Sequence, residues 1–235
     1  MTGQGLLQLA LYVVVLVALV KPLGAYMAAV FRGERTFMSP VLGPVERLIY
    51  RVSGIDPAHE SDWKRYALSA LLVNLLGFLA VYALQRLQHV LPLNPQRLGA
   101  VSPDSSFNTA VSFATNTNWQ GYVGEATMSY LTQMLGLAVQ NFLSAATGIA
   151  VLLALVRGFV RREAGQIGNF WVDFTRSTLY VLLPLSFILA VVLASQGVVQ
   201  SFAPYQQATL VEPVIIQVPA MSADGTPIMK DEIVT

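Results

Sequence analysis

The stretch SPDSSFNTAVSFATNTNWQGYVGE, residues Ser102–Glu125, lies between two long apolar segments and is itself too short and too polar to cross a bilayer. Its first half predicts a short helix, because Ser102 suits an N-cap, Pro103 suits the first helical position and Asp104 places an acid in the first turn. The apolar residues after this start recur at helical spacing, namely Phe107, Ala110, Val111 and Ala114. We predict a half-helix over 103–114 that, at about 15 Å, reaches only halfway through the hydrocarbon of a membrane.

The residues that follow this half-helix, Thr115–Trp119, are polar or β-branched and have little tendency to continue a helix. Irregular backbone at membrane depth is tolerated only where it lines a cavity or a pore, because its amide groups need partners. The sequence therefore predicts a re-entrant half-helix followed by a pore-lining loop. An external loop with a short surface helix is the alternative interpretation.

The composition is that of a membrane protein. Hydrophobic residues make up 54% of the chain and charged residues 11%, against about 25% charged residues in soluble domains. The net charge of +1 is uninformative about nucleic acid, but no basic patch is dense enough to predict a nucleic-acid partner. The absence of cysteine excludes disulfides and thiolate metal sites. The sequence shows no P-loop, no phosphorylatable aspartate motif and no acid–base constellation, so we predict no catalytic site in this chain.

Four apolar segments are long enough to span a bilayer; they are Leu6–Phe31, Tyr66–Leu87, Met128–Val156 and Phe170–Ala194. We expect the first to be a membrane helix rather than a cleaved signal, because no positive charge precedes it and no small-residue cleavage site follows it. In the connection between the first two spans, apolar residues at helical spacing predict an amphipathic helix on the membrane surface. These residues are Val45, Leu48, Ile49 and Val52, beside Arg47 and Arg51.

Small and polar residues share one face of the third span, namely Gln133, Gly136, Gln140, Ser144 and Thr147. We predict that this face turns to the protein interior, either for close helix packing or to line a hydrated path, and both interpretations stay open. In the fourth span, Pro184 predicts a kink. Asp173 and Arg176 are three residues apart in the same span and are expected to pair on the helix surface.

The positive charges predict an orientation for these spans. They are concentrated in the connections 32–65 and 157–176, whereas the opposite side has only Arg86, Arg97 and Lys230. By the positive-inside rule, the N-terminus, the pore stretch and the C-terminal tail lie outside. The half-helix then enters from the outer face and aims the negative end of its dipole into the membrane, where that end favours a cation.

The loop after the half-helix can supply the oxygen ligands that a dehydrating monovalent cation needs, through inward-facing backbone carbonyls. We expect the side chains of Asn116, Asn118 and Gln120 to hydrogen-bond the loop backbone, and Trp119 to wedge the loop against neighbouring helices. Two acidic residues near the outer mouth, Asp104 and Glu125, are placed to raise the local cation concentration.

Two motifs are the most specific in the chain: TNTNWQ at 115–120 and VQNFLSAA at 139–146. LPLNPQ at 91–96 and NTAVSF at 108–113 add to them. The TVGYG filter of potassium channels is absent, and 115–119 contain no glycine. With these motifs the chain resembles, over essentially its whole length, the KdpA family of potassium-binding subunits of the bacterial Kdp potassium-transporting ATPase.

The resemblance implies an all-α membrane protein in which an extra N-terminal transmembrane helix precedes channel-like M1–P–M2 repeats, each with a re-entrant half-helix and a filter loop. It implies the extra helix at 1–31, a cytoplasmic connection at 32–65 and the first repeat at 66–156. A cytoplasmic turn and the first span of a second repeat would follow at 157–195, and a periplasmic loop at 196–235. It further implies K+ as the transported ion, no organic cofactor, and a filter at 115–120; its ligands are expected from Thr115, Asn116, Thr117 and Asn118, with Gln120 at the outer end.

The resemblance also implies a role in ATP-driven, high-affinity potassium uptake across the bacterial inner membrane. The ion would pass to the P-type ATPase subunit KdpB, which carries the ATP chemistry, and the lipid bilayer and the small subunits KdpC and KdpF are further expected partners. Chains of this family are more than twice as long, so this chain is expected to contribute one quarter of the filter. A passive potassium channel, a secondary transporter of the Trk/Ktr type and a membrane scaffold are the rival hypotheses; none of them needs an ATPase partner.

Overall fold

The computed structural model describes residues 2–161, 165–206, 214–221 and 227–234. Four of its helices are long and apolar enough to cross a membrane: α1 (Gly3–Phe31), α3 (Trp63–Leu87), α6 (Thr132–Val160) and α7 (Phe170–Ser195). The shorter helices are α2 (Ser39–Ser53), α4 (Pro103–Ala114) and α5 (Gly124–Thr127). The four spans predicted from the sequence are confirmed, with ends that differ by a few residues.

The half-helix α4 packs in the centre, against α3 and α6. Its Ala110 and Phe113 lie in a buried apolar cluster with Val81 of α3 and Leu137 of α6. The helices α3 and α6 also meet directly at Gly77, where an added Cβ would overlap the side-chain amide of Gln140. The predicted polar face of α6 therefore does turn inward, and at this point it serves close helix packing.

The helix α7 packs on α3 and α6 through a second apolar cluster, which contains Tyr66, Ala150 and Phe170. A π-helical segment, Ser177–Leu182, interrupts α7 just before Pro184. The ring of Pro184 removes the hydrogen bond that its backbone nitrogen would donate one turn back. The carbonyl left there, that of Tyr180, accepts a hydrogen bond from the hydroxyl of Tyr26 at 2.9 Å. The irregular segment predicted at Pro184 is therefore also where Tyr26 links α1 to α7 by a hydrogen bond.

The helix α1 is exposed over most of its length and packs only near its C-terminal end. There Val30 lies in a third cluster with Leu179 and Tyr180 of α7. The next helix, α2, forms where the sequence predicts an amphipathic helix in the first connection. Its Ile49 packs against this third cluster, whereas Leu48 and other apolar side chains of α2 remain exposed. The location of α2 on the membrane surface stays a prediction.

The predicted pair between Asp173 and Arg176 is wrong, because each residue binds a partner on a different element. Both terminal nitrogens of the Arg157 guanidinium, on α6, donate to the carboxylate of Asp173. Arg176 donates instead to Glu46 of α2 at 2.8 Å. The two side chains point to different neighbours from the same helix, and a bidentate arginine–carboxylate pair in a buried site is stronger than a pair on a helix surface.

Glu46 collects three hydrogen bonds, from Arg176, Tyr180 and Tyr50. Burial by itself would raise the pKa of the Glu46 carboxyl, but these bonds and the charge of Arg176 outweigh it and hold that pKa below its usual value. The carboxylate therefore stays ionised at neutral pH and ties α2 to α7.

The basic connection before α3 and the basic connection before α7 are joined by backbone hydrogen bonds. The backbone nitrogen of Ser61 donates to the carbonyl of Gly168 at 2.8 Å, and the nitrogen of Ile167 donates back to the carbonyl of Ser61 at 3.0 Å. Beside this bridge, Arg161 binds Glu60. The hydrogen bonds from Arg161 exceed the opposing effect of burial, and they lower the pKa of Glu60.

Residues 203–235 form a compact unit of their own. In it, β1 (Val214–Met221) pairs with β2 (Pro227–Val234) as an antiparallel hairpin, with Val214 opposite Val234. These strands correct the expectation of a loop over 196–235. The all-helical class predicted for the chain holds for the described part of residues 1–202.

Candidate ion-binding site

The half-helix α4 begins and ends where the sequence predicts. The hydroxyl oxygen of Ser102 caps its start by accepting the backbone N–H of Ser105 at 3.4 Å. The polar residues on its buried side face the other helices. For example, the side-chain amide of Gln85, on α3, donates a hydrogen bond to the backbone carbonyl of Ser106. The last helical residue is Ala114, and the irregular segment starts at Thr115.

The backbone of the loop folds back on the end of α4. The amide N–H groups of Asn116, Thr117 and Asn118 donate to carbonyls in the last turn of the helix, at 3.3, 3.0 and 3.3 Å. The helix residues that accept these bonds are Phe113 and Ser112. Two of the loop residues, Asn116 and Asn118, have left-handed backbone angles, with φ of 56° and 54°. Asparagine tolerates this conformation better than most residues, which explains why two asparagines alternate here with threonines.

This folding back sets the direction of the loop carbonyls. In a trans peptide, the C=O of one residue points opposite to the N–H of the next. Because the N–H groups of 116, 117 and 118 face α4, the carbonyls of Thr115, Asn116 and Thr117 all point away from it. Within the described residues, these three carbonyls accept no hydrogen bond. The loop thus presents a row of free, neutral oxygen atoms on one side.

Side chains hold the loop in place by contacts that sequence reasoning did not foresee. The hydroxyl of Ser112 donates to the carbonyl of Trp119 at 2.9 Å and so closes the loop at its far end. The side-chain oxygen of Asn116 accepts from Asn118 at 3.3 Å and lies 3.4 Å from the hydroxyl of Ser144 on α6. The expected bracing of the backbone by the asparagine amides is therefore wrong: these amides bind each other and α6, and Ser112 binds the backbone.

Two other expected contacts of the loop are not found in the described part of the chain. The side chain of Trp119 is 51% exposed and is not wedged between helices. Gln120 is exposed as well and has no hydrogen-bond partner among the described residues. The five predicted site residues, Thr115–Asn118 and Gln120, lie together on one exposed segment, which is open on the side away from α4.

A buried glutamine fixes the segments on either side of the half-helix. The amide nitrogen of Gln88 donates to the carbonyls of Gly99 and Thr127, at 2.6 and 2.9 Å. Its amide oxygen accepts the backbone N–H of Ser129 at 3.0 Å. Gln88 thereby joins the chain before α4 to the chain after the loop. The sequence offered no signal for this role beyond a polar residue at the end of a span.

Charge around the loop is sparse. Asp104 and Glu125 are both exposed, and their effect on the local cation concentration stays a prediction. Among the described residues there is no group of three or more His, Cys, Asp or Glu side chains that could hold a metal ion. Neutral backbone oxygens are therefore the ligands that this site offers.

Comparison of the sequence with known proteins shows similarity to subunits of potassium-transporting ATPases. The family model described as "Potassium-transporting ATPase A subunit" matches residues 10–229. The potassium-transporting ATPase potassium-binding subunit of Ralstonia pickettii is 67% identical over 223 residues, which are 95% of this chain and 38% of that protein. The subunit of the same name from Methylococcus capsulatus is 63% identical over 229 residues, covering 97% of this chain and 38% of the relative. The subunit of the same name from Herpetosiphon aurantiacus is 57% identical over 233 residues, which are 99% of this chain and 39% of that protein.

The chain thus spans about two fifths of the length of the relatives it matches, with 38% for the first of them. The match runs through all four long helices, the half-helix and the loop. On this evidence the chain belongs to the KdpA family, the A subunits of potassium-transporting ATPases.

Proposed function

We propose that this chain is part of a potassium-binding membrane subunit and that residues 115–120 form one wall of its selectivity filter. The observation that carries the proposal is the row of three carbonyls, from Thr115, Asn116 and Thr117, that point away from α4 and accept no hydrogen bond within the described residues. Such a row can replace water molecules around a dehydrating ion.

The chemistry of the row favours a monovalent cation over a divalent one. A divalent ion such as Ca²⁺ or Mg²⁺ is normally held by carboxylates, often with water. Residues 115–120 contain no carboxylate. The two acidic residues expected near the mouth of the filter, Asp104 and Glu125, are exposed. Neutral carbonyls at the negative end of a half-helix suit K+, the ion in the names of the relatives.

One half-helix and one loop cannot surround an ion. We infer that the remaining walls come from further M1–P–M2 repeats in a longer chain, since the relatives are more than twice as long. In this arrangement α3, α4, the loop and α6 form the first repeat, and α7 opens the second. Thr115–Asn118 supply backbone ligands and Gln120 lies at the outer end of the filter.

The orientation proposed from the positive charges puts the filter mouth outside the bacterial inner membrane. Potassium would enter there and pass to the P-type ATPase subunit KdpB, with KdpC and KdpF as the other members of the complex. We assign the ATP chemistry to that partner, because this sequence has neither a P-loop nor a phosphorylatable aspartate motif.

The proposal is tested by adding one positive charge at the filter mouth of the full-length subunit in its complex. Gln120→Arg should weaken potassium uptake, with a rise in the half-saturating K+ concentration of about tenfold or more, because a fixed cation near the filter repels K+. Gln4→Arg is the matched control, since it adds the same charge to an exposed glutamine at the start of α1.

Uptake of labelled K+ into cells or vesicles, measured with and without ATP, gives the answer. A normal half-saturating concentration in the Gln120 variant would exclude the filter assignment. Uptake that continues at full rate without ATP would instead favour the passive channel or the Trk/Ktr-type transporter.

A further inference from the structure

A polar cavity lies where the end of α1, the start of α2 and the middle of α7 meet. Its volume is about 500 Å³. The residues that line it include Gly33 and Arg35 after α1, Ser39 and Arg47 of α2, and Arg176 of α7. Most of its lining belongs to the basic connection between α1 and α3, none of it belongs to the loop at 115–120, and the proposed transport function does not use it.

The cavity carries an excess of positive charge. Arg176 is neutralised by Glu46 at 2.8 Å. The other acidic lining residue, Glu34, is bound by Arg32 at 2.6 Å. Two arginines of the lining, Arg35 and Arg47, have no carboxylate partner among the described residues. Two unpaired guanidinium groups around one cavity favour an anionic occupant, and their planar donors fit the oxygens of a phosphate group.

Exposed apolar side chains lie next to the lining residues in the chain. Phe37 and Val41 are 78% and 68% exposed, and each follows a lining residue, Thr36 or Pro40. The apolar helix α1, which is long enough to cross the membrane, ends at Phe31, one residue after the lining residue Val30. A free phosphate would leave these apolar side chains in water, whereas a lipid can cover them with its acyl chains.

We propose that this cavity binds the phosphate headgroup of an anionic phospholipid, from the leaflet on the side of the basic connections. Arg35 and Arg47 hold the headgroup, and the acyl chains run along the exposed apolar side chains of α1 and α2. Because Gly43 and Glu46 of α2 also line the cavity, the lipid supports the attachment of α2 to α7. The proposal rests on the membrane location of these helices and is independent of the ion that the filter selects.

The test uses the complete complex with the full-length subunit, purified in detergent and titrated with phosphatidylglycerol. Native mass spectrometry counts the lipid molecules bound per complex. The double variant Arg35→Gln/Arg47→Gln should bind its tightest phosphatidylglycerol about 25-fold more weakly, which is about fivefold for each arginine near a lipid surface.

The charge-matched control is Arg51→Gln/Arg65→Gln, which removes two exposed arginines of the same connection outside the cavity. This control should keep the tight site, because it changes the net charge equally but leaves the cavity intact. Unchanged elution volume and Tm establish that both variants fold, so that a loss of lipid reports on the site.

Three results would overturn the proposal. The first is equal phosphatidylglycerol binding by the cavity variant and the unaltered complex. The second is equal loss in the control, which would mean general surface attraction. The third is displacement of the tight lipid by millimolar inorganic phosphate alone, which would make the cavity a site for free anions.

Discussion

The carboxylate of Asp173 is held by both terminal nitrogens of Arg157, sixteen residues earlier in the chain, with Nη2 2.8 Å from Oδ1. The hydroxyl of Tyr66 reaches the same carboxylate at 2.9 Å. Residues from α3, α6 and α7 thus meet at one buried charge, and Asp173 is only 2% exposed. This junction joins α3 and α6, which both pack against the half-helix α4, to the helix α7 that follows them.

Asp173→Asn should lower the stability of the protein by about 3–5 kcal/mol, because it leaves the charge of Arg157 in a buried site without a partner. Thermal unfolding of the purified full-length protein measures the loss as a fall in Tm. Glu60→Gln is the control: it breaks the pair with Arg161, in which both side chains are 37% exposed, and should cost about 1 kcal/mol or less. Equal shifts in Tm for the two variants would contradict a buried structural junction.

Gly77→Ala should destabilise the contact between α3 and α6 by about 1–3 kcal/mol, because the added methyl group would overlap the amide of Gln140. Gly148→Ala is the matched control, since an added Cβ there would meet nothing within 4 Å. Shortening the opposing side chain, in Gly77→Ala/Gln140→Ala, should restore most of the lost Tm. A double variant that is less stable than Gly77→Ala would mean that another contact is responsible.

Ser112→Ala should weaken potassium affinity by about fivefold if residues 115–120 form the proposed filter, because the loop loses the hydrogen bond between the hydroxyl of Ser112 and the carbonyl of Trp119. The half-saturating K+ concentration for uptake measures this effect in the complete complex. Ser186→Ala removes a hydroxyl that binds only within α7 and should leave uptake unchanged. If both variants transport with unaltered affinity, Ser112 does not position the filter.

Stability should depend on pH through Glu46. Its pKa is lowered in the folded chain, relative to a reference value of 4.5. The ionised carboxylate therefore stabilises the fold at pH values above about 4.5, and this contribution is lost as the pH falls through the lower folded-state pKa. As the pH is lowered from 7, Tm should therefore fall below about pH 4.5, where the Glu46 carboxylate becomes protonated.

Glu46→Gln should lower Tm at pH 7 and flatten its dependence on pH below 4.5, because the variant has no carboxylate to protonate. Glu34→Gln serves as the control, since Glu34 and its partner Arg32 are both more than half exposed. It should leave the pH profile close to that of the unaltered protein. A profile in the Glu46 variant as steep as the original would assign the acid transition to other groups.

Much of the fold was predictable because its signals are local. Apolar length marked the four spans, and the cap, proline and acid from Ser102 to Asp104 marked the start of α4. The helical spacing of the apolar residues in the first connection likewise predicted the helix α2. The segment proposed as a filter stands out by its motif and by its lack of helical propensity, and the structure gives it irregular backbone with two left-handed asparagines.

The side-chain contacts that were missed in residues 1–202 share one cause, which is that the path of the chain in space decides which partners meet. Asp173 and Arg176 fit an ion pair by spacing, but Arg157 and Glu46 approach them from other elements. Ser112 carries a hydroxyl like many others, and only the return of the loop brings it to the carbonyl of Trp119. Spacing along one helix cannot show which neighbour is nearer in space.

By itself, the sequence determined that the chain lies in a membrane, where a half-helix must stop and which residues follow it, because hydrophobicity, capping and propensity act within a few residues. Only the tertiary structure decided which way the loop carbonyls face and which residues hold the loop. The amides of Asn116, Thr117 and Asn118 turn back to α4, and that choice aims three carbonyls outward. The direction of a peptide group depends on where its hydrogen-bond partner lies in space, which residue order alone does not specify.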